Sequence, residues 1–129
     1  MTRETAGSRE PQFLEGLELF NRQEFYDCHD LIEDLWLQES SDKQPFLQGI
    51  IQAAVAFFHY QQGKWGAART MMKQSIDKLA TYPRLHGGID LGKFRSELRV
   101  WKQALDEAIR RGSRAPLDLE YPLISLRLD

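Results

Sequence analysis

Pro45-Phe46-Leu47-Gln48-Gly49-Ile50-Ile51-Gln52-Ala53-Ala54-Val55-Ala56-Phe57-Phe58-His59-Tyr60 is the stretch on which the fold turns. Wound at 3.6 residues per turn, it is apolar on nearly every side, and a helix of that kind is normally surrounded by other helices. It is therefore expected at the centre of the molecule, as a third helix over residues 43–62. Pro45 is tolerated in a first turn because no helical carbonyl awaits its missing N–H. Ser41 and Gln44 have the spacing of a capping box, and Gly63 suits a left-handed stop.

Outward from this centre, the periodicity yields amphipathic helices on both sides. Phe25, Cys28, Ile32, Leu35 and Trp36 mark one face of a second helix over 24–38, and Phe13, Leu14, Leu17 and Phe20 mark a first over 11–22, opened by Pro11. A fourth helix, 64–81, carries Trp65, Ala68, Met72, Ile76 and Leu79. Pro83, Gly87 and Gly88 make a loop, Asp90 can cap, and a fifth helix follows to Gly112 with Leu91, Phe94, Leu98, Trp101 and Leu105 along its seam. Residues 1–10 read as a disordered leader and 11–112 as one helical domain. In residues 113–129 Leu117, Leu119, Tyr121 and Leu123 approach strict alternation, with Leu126 and Leu128 beyond, but Pro116 and Pro122 forbid a central strand. The expectation is an extended tail docked on the helices or on a partner subunit.

One repeat is visible. Phe20, Phe25, Cys28 and Trp36 superpose on Tyr60, Trp65, Ala68 and Ile76 at a constant offset of 40 residues. Each copy is a helix, a tight turn, an aromatic five residues on, and a small residue three later, where two helices of a hairpin can approach. That is the logic of tetratricopeptide-type pairs. The expected fold is all-α: a five-helix bundle of tetratricopeptide-like antiparallel pairs with an extended C-terminal tail.

The bulk composition excludes several classes. A chain of 129 residues fits one domain, and 42% hydrophobic with 28% charged residues is an ordinary globular balance. A net charge of −2 supplies no basic field for nucleic acid. No apolar run approaches the roughly 20 residues a membrane span needs. Cys28 is the sole cysteine, so no internal disulfide forms, and a reducing, cytoplasmic setting is expected.

The chemistry-bearing residues gather on the second and third helices. His29, Glu33 and Trp36 stand at i, i+4 and i+7, on a stripe bordering the apolar face. Gln48, Gln52 and His59 fall on one narrow polar line of the otherwise apolar third helix. Three readings compete. The line could be a solvated edge; the residues could satisfy one another as a structural network, since an unpaired buried polar group costs roughly 1–3 kcal/mol; or they could form a site. In the last case they line a metal-free ligand or partner pocket, or His29, Glu33 and His59 serve as a ligand set for zinc or manganese, with Asp30 placed as the base of a metal-dependent hydrolase. Other signals are weaker. Cys28 lies on an apolar face and reads as an inert buried thiol, Arg110, Arg111 and Arg114 read as dipole compensation, and Gly63-Lys64-Trp65-Gly66 lacks the strand a phosphate loop needs.

The run His29-Asp30-Leu31-Ile32-Glu33-Asp34-Leu35-Trp36 resembles the histidine–acid, glutamate and tryptophan signature of the family called domain of unknown function 309. Phe46 to Ala56, followed by His59, Gly63, Gly66 and Ala67, is similar to its second block. The resemblance covers residues 14–82 and implies a small all-helical protein with no established activity. Its signature positions fall here on His29, Glu33, Trp36, Gln48, Gln52 and His59, with Asp30 where the family usually has glutamate. Two functions remain open: a helical binding or scaffold domain with a homo-oligomeric or peptide partner, and the metal-dependent hydrolase.

Overall fold

The computed structural model describes the backbone of residues 2–39 and 43–126, with side chains from residue 10 onward. Five helices follow one another: α1 (Thr2–Asn21), α2 (Phe25–Gln38), α3 (Lys43–Gln61), α4 (Trp65–Leu79) and α5 (Leu91–Arg110). Between the last two, β1 (Leu85–His86) and β2 (Ile89–Asp90) form a minimal antiparallel hairpin. The all-α architecture expected from the periodicity is the one observed, and α2 to α5 begin and end within about two residues of their expected bounds. α1 differs. Its backbone is helical from Thr2, where a disordered leader 1–10 was expected, and Pro11 lies inside it. Proline removes one intrahelical donor, while Arg3, Glu4, Ala6 and Glu10 around it are helix formers. The proposed capping serine, Ser41, lies outside the described residues, as does Leu128.

α3 is the central element. Phe46, Leu47, Gly49, Ile50, Ile51, Ala53, Ala54, Ala56, Phe57 and Tyr60 are all buried on it. α2 packs along one side and α4 along the other. Gly49 is where α4 comes closest: a Cβ built there would lie 2.5 Å from Leu79 Cδ2. The Ser75 hydroxyl, fully buried, donates to the Gly49 carbonyl at 2.7 Å.

The 40-residue offset is realised in the backbone of two turns. Gln23 and Gly63 both take positive φ, 66° and 77°. Glu24 N–H donates to Leu19 O at 2.9 Å, and Lys64 N–H to His59 O at 2.9 Å. Gln23 N–H donates to Phe20 O and Gly63 N–H to Tyr60 O, completing the same left-handed C-cap in each copy. The paired aromatics match as well: Phe20 meets Phe25 at 5.0 Å between ring centroids, Tyr60 meets Trp65 at 5.3 Å. The rings meet edge-on at 74° in the first copy and stack at 22° in the second, and the cap residue differs as well. Glutamine in the left-handed region is strained relative to glycine. Gln23→Gly should therefore raise the urea midpoint, at unchanged slope, by the equivalent of about 0.5–1 kcal/mol.

α5 closes the bundle. Asp90 caps it as expected, its carboxylate accepting from Lys93 N at 3.0 Å. Arg95 of α5 donates to the carbonyls of Leu79 and Tyr82, each at 2.9 Å, and so terminates α4. Beyond Gly112 the chain is extended and returns across its own helices. Leu117 N–H donates to the Tyr60 hydroxyl, Trp101 Nε1 to Glu120 O, and the Asn21 carboxamide both accepts from Ile124 N and donates to Ile124 O. Tyr121 stacks on Trp101, centroids 5.3 Å apart at 15°. A bridge between Ile89 and Leu126 adds the tail to the β hairpin.

Candidate functional site

The two histidine-bearing stripes lie on neighbouring helices, but their polar atoms do not converge. His29 Nε2 stands 3.5 Å from Glu33 Oε1 of its own helix, with side chains 24% and 47% exposed. A half-exposed pair one turn apart contributes only about 0.3–0.5 kcal/mol. Gln52 turns the other way, its amide donating at 3.3 Å to Gln74 Oε1 of α4. Among the described residues no hydrogen bond joins His29 or Glu33 to Gln48, Gln52 or His59. Of the three readings, the interhelical network is not what these residues form: they make two separate pairs, one within α2 and one between α3 and α4. Asp30 is exposed, Trp36 and Gln48 are half-buried, and Trp36 contributes its carbonyl, which accepts from Gln44 Nε2 at 2.8 Å.

The metal reading is corrected by the same geometry. No group of three or more histidine, cysteine, aspartate or glutamate side chains is placed to hold a metal ion among the described residues. His29 and Glu33 supply two donors on one helix. His59 does not join them, so the set His29, Glu33 and His59, and the zinc or manganese hydrolase built on it, lacks its third ligand.

What spans the gap is aromatic. Tyr26 of α2 packs against His29 at 5.6 Å and, across the helix pair, against Phe58 of α3 at 5.4 Å. Phe58 is next to His59 in sequence, with ring centroids 6.3 Å apart. The imidazoles therefore flank a Tyr26–Phe58 contact on an α2–α3 face. Tyr26 is 55% exposed on that face and Leu37, three turns along the same helix, is 67% exposed. Two polar atoms on α3 stay buried without a partner, Gln52 Oε1 and His59 Nδ1. Sequence reasoning passed over Tyr26, Phe58, Gln74 and Ser75. A signal existed for Ser75, which lies three residues after Met72 and four before Leu79 and so shares their apolar face.

Cys28 is fully buried, as its place on the apolar face implied. Burial pushes its thiol up from 9.0 to about 12, with a backbone hydrogen bond at Phe20 pulling the other way. The unfolded chain gives up that proton near pH 9 and the folded chain near 12, so the stability tied to the neutral thiol is whole below pH 9 and drains away as pH rises through that window. Midpoints of urea unfolding measured across it should fall more steeply for the wild type than for Cys28→Ala. Elsewhere, an open cavity of about 380 Å³ brings Lys64 and Arg114 together at the start of α4, joining two stretches that looked unrelated in sequence.

The comparisons with known proteins bear on this same region. Residues 13–71 match the family described as domain of unknown function, DUF309. The DUF309 match ends inside α4, and it takes in α2 and α3 whole, hence every residue of the candidate face. The chain is also 30% identical over 93 residues to an uncharacterised protein of Aquifex aeolicus (strain VF5), covering 70% of this chain and 28% of that one. It is 28% identical over 94 residues to the uncharacterised protein YpuF of Bacillus subtilis (strain 168), covering 72% of this chain and 53% of that one. The chain thus spans only about a quarter to a half of these curated relatives' lengths. No helix among the described residues is long and apolar enough to cross a membrane.

Proposed function

We propose that the chain is a non-catalytic helical scaffold domain that associates with a second copy of itself through the α2–α3 face. One observation carries the reading: Tyr26, 55% exposed, joins the half-buried His29 and Phe58 into an aromatic patch on the α2–α3 face. Aromatic residues are enriched where proteins meet, because they bury a large area at little entropic cost. A two-fold contact needs both halves of each polar pair on one surface. Asp30 and Glu33 offer acceptors here, and the His29 imidazole beside them, 24% exposed, is the complementary donor when protonated. The length of the relatives fits a unit carried within larger proteins. The separation of His29 and Glu33 from His59 leaves nothing that favours hydrolysis.

Sedimentation equilibrium tests the reading. Wild-type protein should dimerise in a concentration-dependent way, and Tyr26→Ala should weaken the dimer at least about tenfold, equivalent to roughly 1.4 kcal/mol. The ring is a surface group, so the melting temperature of the monomer should hardly move. A wild-type chain that stays monomeric to about 1 mM, a free energy near −4 kcal/mol, overturns the proposal, as does a dimer indifferent to Tyr26→Ala.

A further inference from the structure

The C-terminal segment is held in an unusual manner for a piece of core. Its polar contacts with the helices come from its main chain: Leu117 N–H to Tyr60 Oη at 2.8 Å, Glu120 O from Trp101 Nε1 at 2.9 Å, and Ile124 N and O both to the Asn21 carboxamide, at 2.8 and 3.0 Å. Ser125 O adds a bond from Asp90 N at 2.9 Å. A side chain takes part too: the Tyr121 hydroxyl meets Gln61. Donors and acceptors from α1, α3 and α5 therefore read an extended backbone, whatever its polar side chains. The segment's apolar groups go in at alternate depth: Pro122 and Ile124 are buried, Leu117, Leu119 and Tyr121 are half-buried against the core, and Leu123 and Leu126 are about half exposed.

This is how extended peptides are bound in trans. Main-chain hydrogen bonds supply affinity, and pockets for alternate side chains supply specificity. A two-point clamp like that of Asn21 fixes register without demanding a particular residue at the clamped position. We propose that the channel formed by Asn21, Tyr60 and Trp101 is a binding groove for an extended segment of a partner protein, and that the chain's own tail is its tethered occupant. The tail defines the ligand's chemistry: an aromatic residue, then proline, then an aliphatic residue two further on, as in Tyr121-Pro122-Leu123-Ile124. The aromatic stacks flat on Trp101 and lies edge-on to Phe57 at 5.6 Å, and the aliphatic residue is 2% exposed. Residues 111–116, which join tail to α5, are mostly exposed, and their polar contacts are local ones such as Ala115 N to Ser113 Oγ at 3.3 Å. Release of the tail would therefore break no contact of the tether with the helices beyond the end of α5.

The groove is distinct from the α2–α3 face, so the two proposals stand or fall separately. The probe is a fluorescent synthetic peptide of sequence PLDLEYPLISL, copied from residues 116–126, titrated into the full-length chain. Tyr121→Ala weakens the tethered competitor while leaving Asn21, Tyr60 and Trp101 in place. It should bind the peptide saturably and at least about tenfold more tightly than wild type does, because an intramolecular ligand competes at an effective concentration in the millimolar range. Adding Asn21→Ala to that variant should abolish binding. Absence of saturable binding by folded Tyr121→Ala overturns the proposal. So does a wild-type dimer that the peptide dissolves, since the occupant would then be a second copy's tail. Native-state hydrogen exchange on the unaltered chain gives an independent reading. The amides of Leu117 and Ile124 should exchange through an opening faster than that of core amides in α3; exchange of both only by global unfolding would mean that the groove never empties, and would refute the idea.

Discussion

Phe57→Ala should lower the stability of the chain by about 3–5 kcal/mol, the largest loss expected from any single truncation. Phe57 is fully buried at the middle of the aromatic cluster. Its ring meets Phe20 of α1 at 6.0 Å, Phe25 of α2 at 5.3 Å, Trp101 of α5 at 5.1 Å and Tyr121 of the tail at 5.6 Å. Three of these four contacts are edge-to-face, the arrangement the ring quadrupole favours, while the pair with Phe25 is stacked. Alanine therefore removes apolar area, leaves a cavity that four elements must close together, and deletes the edges those rings were set against. Chemical denaturation should show the loss in the midpoint. A change below about 1.5 kcal/mol would mean that the cluster collapses freely around the void, contrary to the packing described.

Gly49→Ala is expected to cost about 1–3 kcal/mol although it adds a single methyl to a helix interior, where alanine is normally the better residue by roughly 1 kcal/mol. The new carbon would sit 2.5 Å from Leu79 Cδ2 and 2.7 Å from its Cγ. Leu79 is fully buried, so its side chain has no free direction in which to yield. α4 must move outward, and the 2.7 Å bond from the Ser75 hydroxyl to the Gly49 carbonyl lengthens with it. A thermal melt at or above the wild-type midpoint would show that α3 and α4 are less closely seated than this contact implies.

The element types were legible because the apolar periodicity is strong and each break carries a recognisable stop. The repeat was legible too, since Phe20 and Tyr60 precede turns that end in the same backbone conformation. What failed was the inference from a shared stripe to a shared site. His29 and Glu33 are one turn apart and reach each other; Gln52 lies on a stripe with His59 yet bonds to Gln74, a residue on a helix that the α3 periodicity says nothing about. A stripe on an isolated helix fixes direction only relative to that helix, and which neighbour it meets depends on the crossing of the pair. The tail shows the opposite case. Alternating apolar residues and two prolines were enough to exclude a strand, but Asn21, a polar residue at a helix end, gave no sign that it would hold a segment so far along the chain.

The Asn21–Ile124 clamp joins positions 103 residues apart. The helical hairpins, whose partners lie close in sequence, are able to form early, whereas this closure needs Ile124 to be brought back to the end of α1. Contacts of such long range are gained late because the chain must first meet the entropy of closing so large a loop. Until the clamp forms, Tyr60 lacks the Leu117 N–H that its hydroxyl accepts and Trp101 lacks the Tyr121 ring stacked on it.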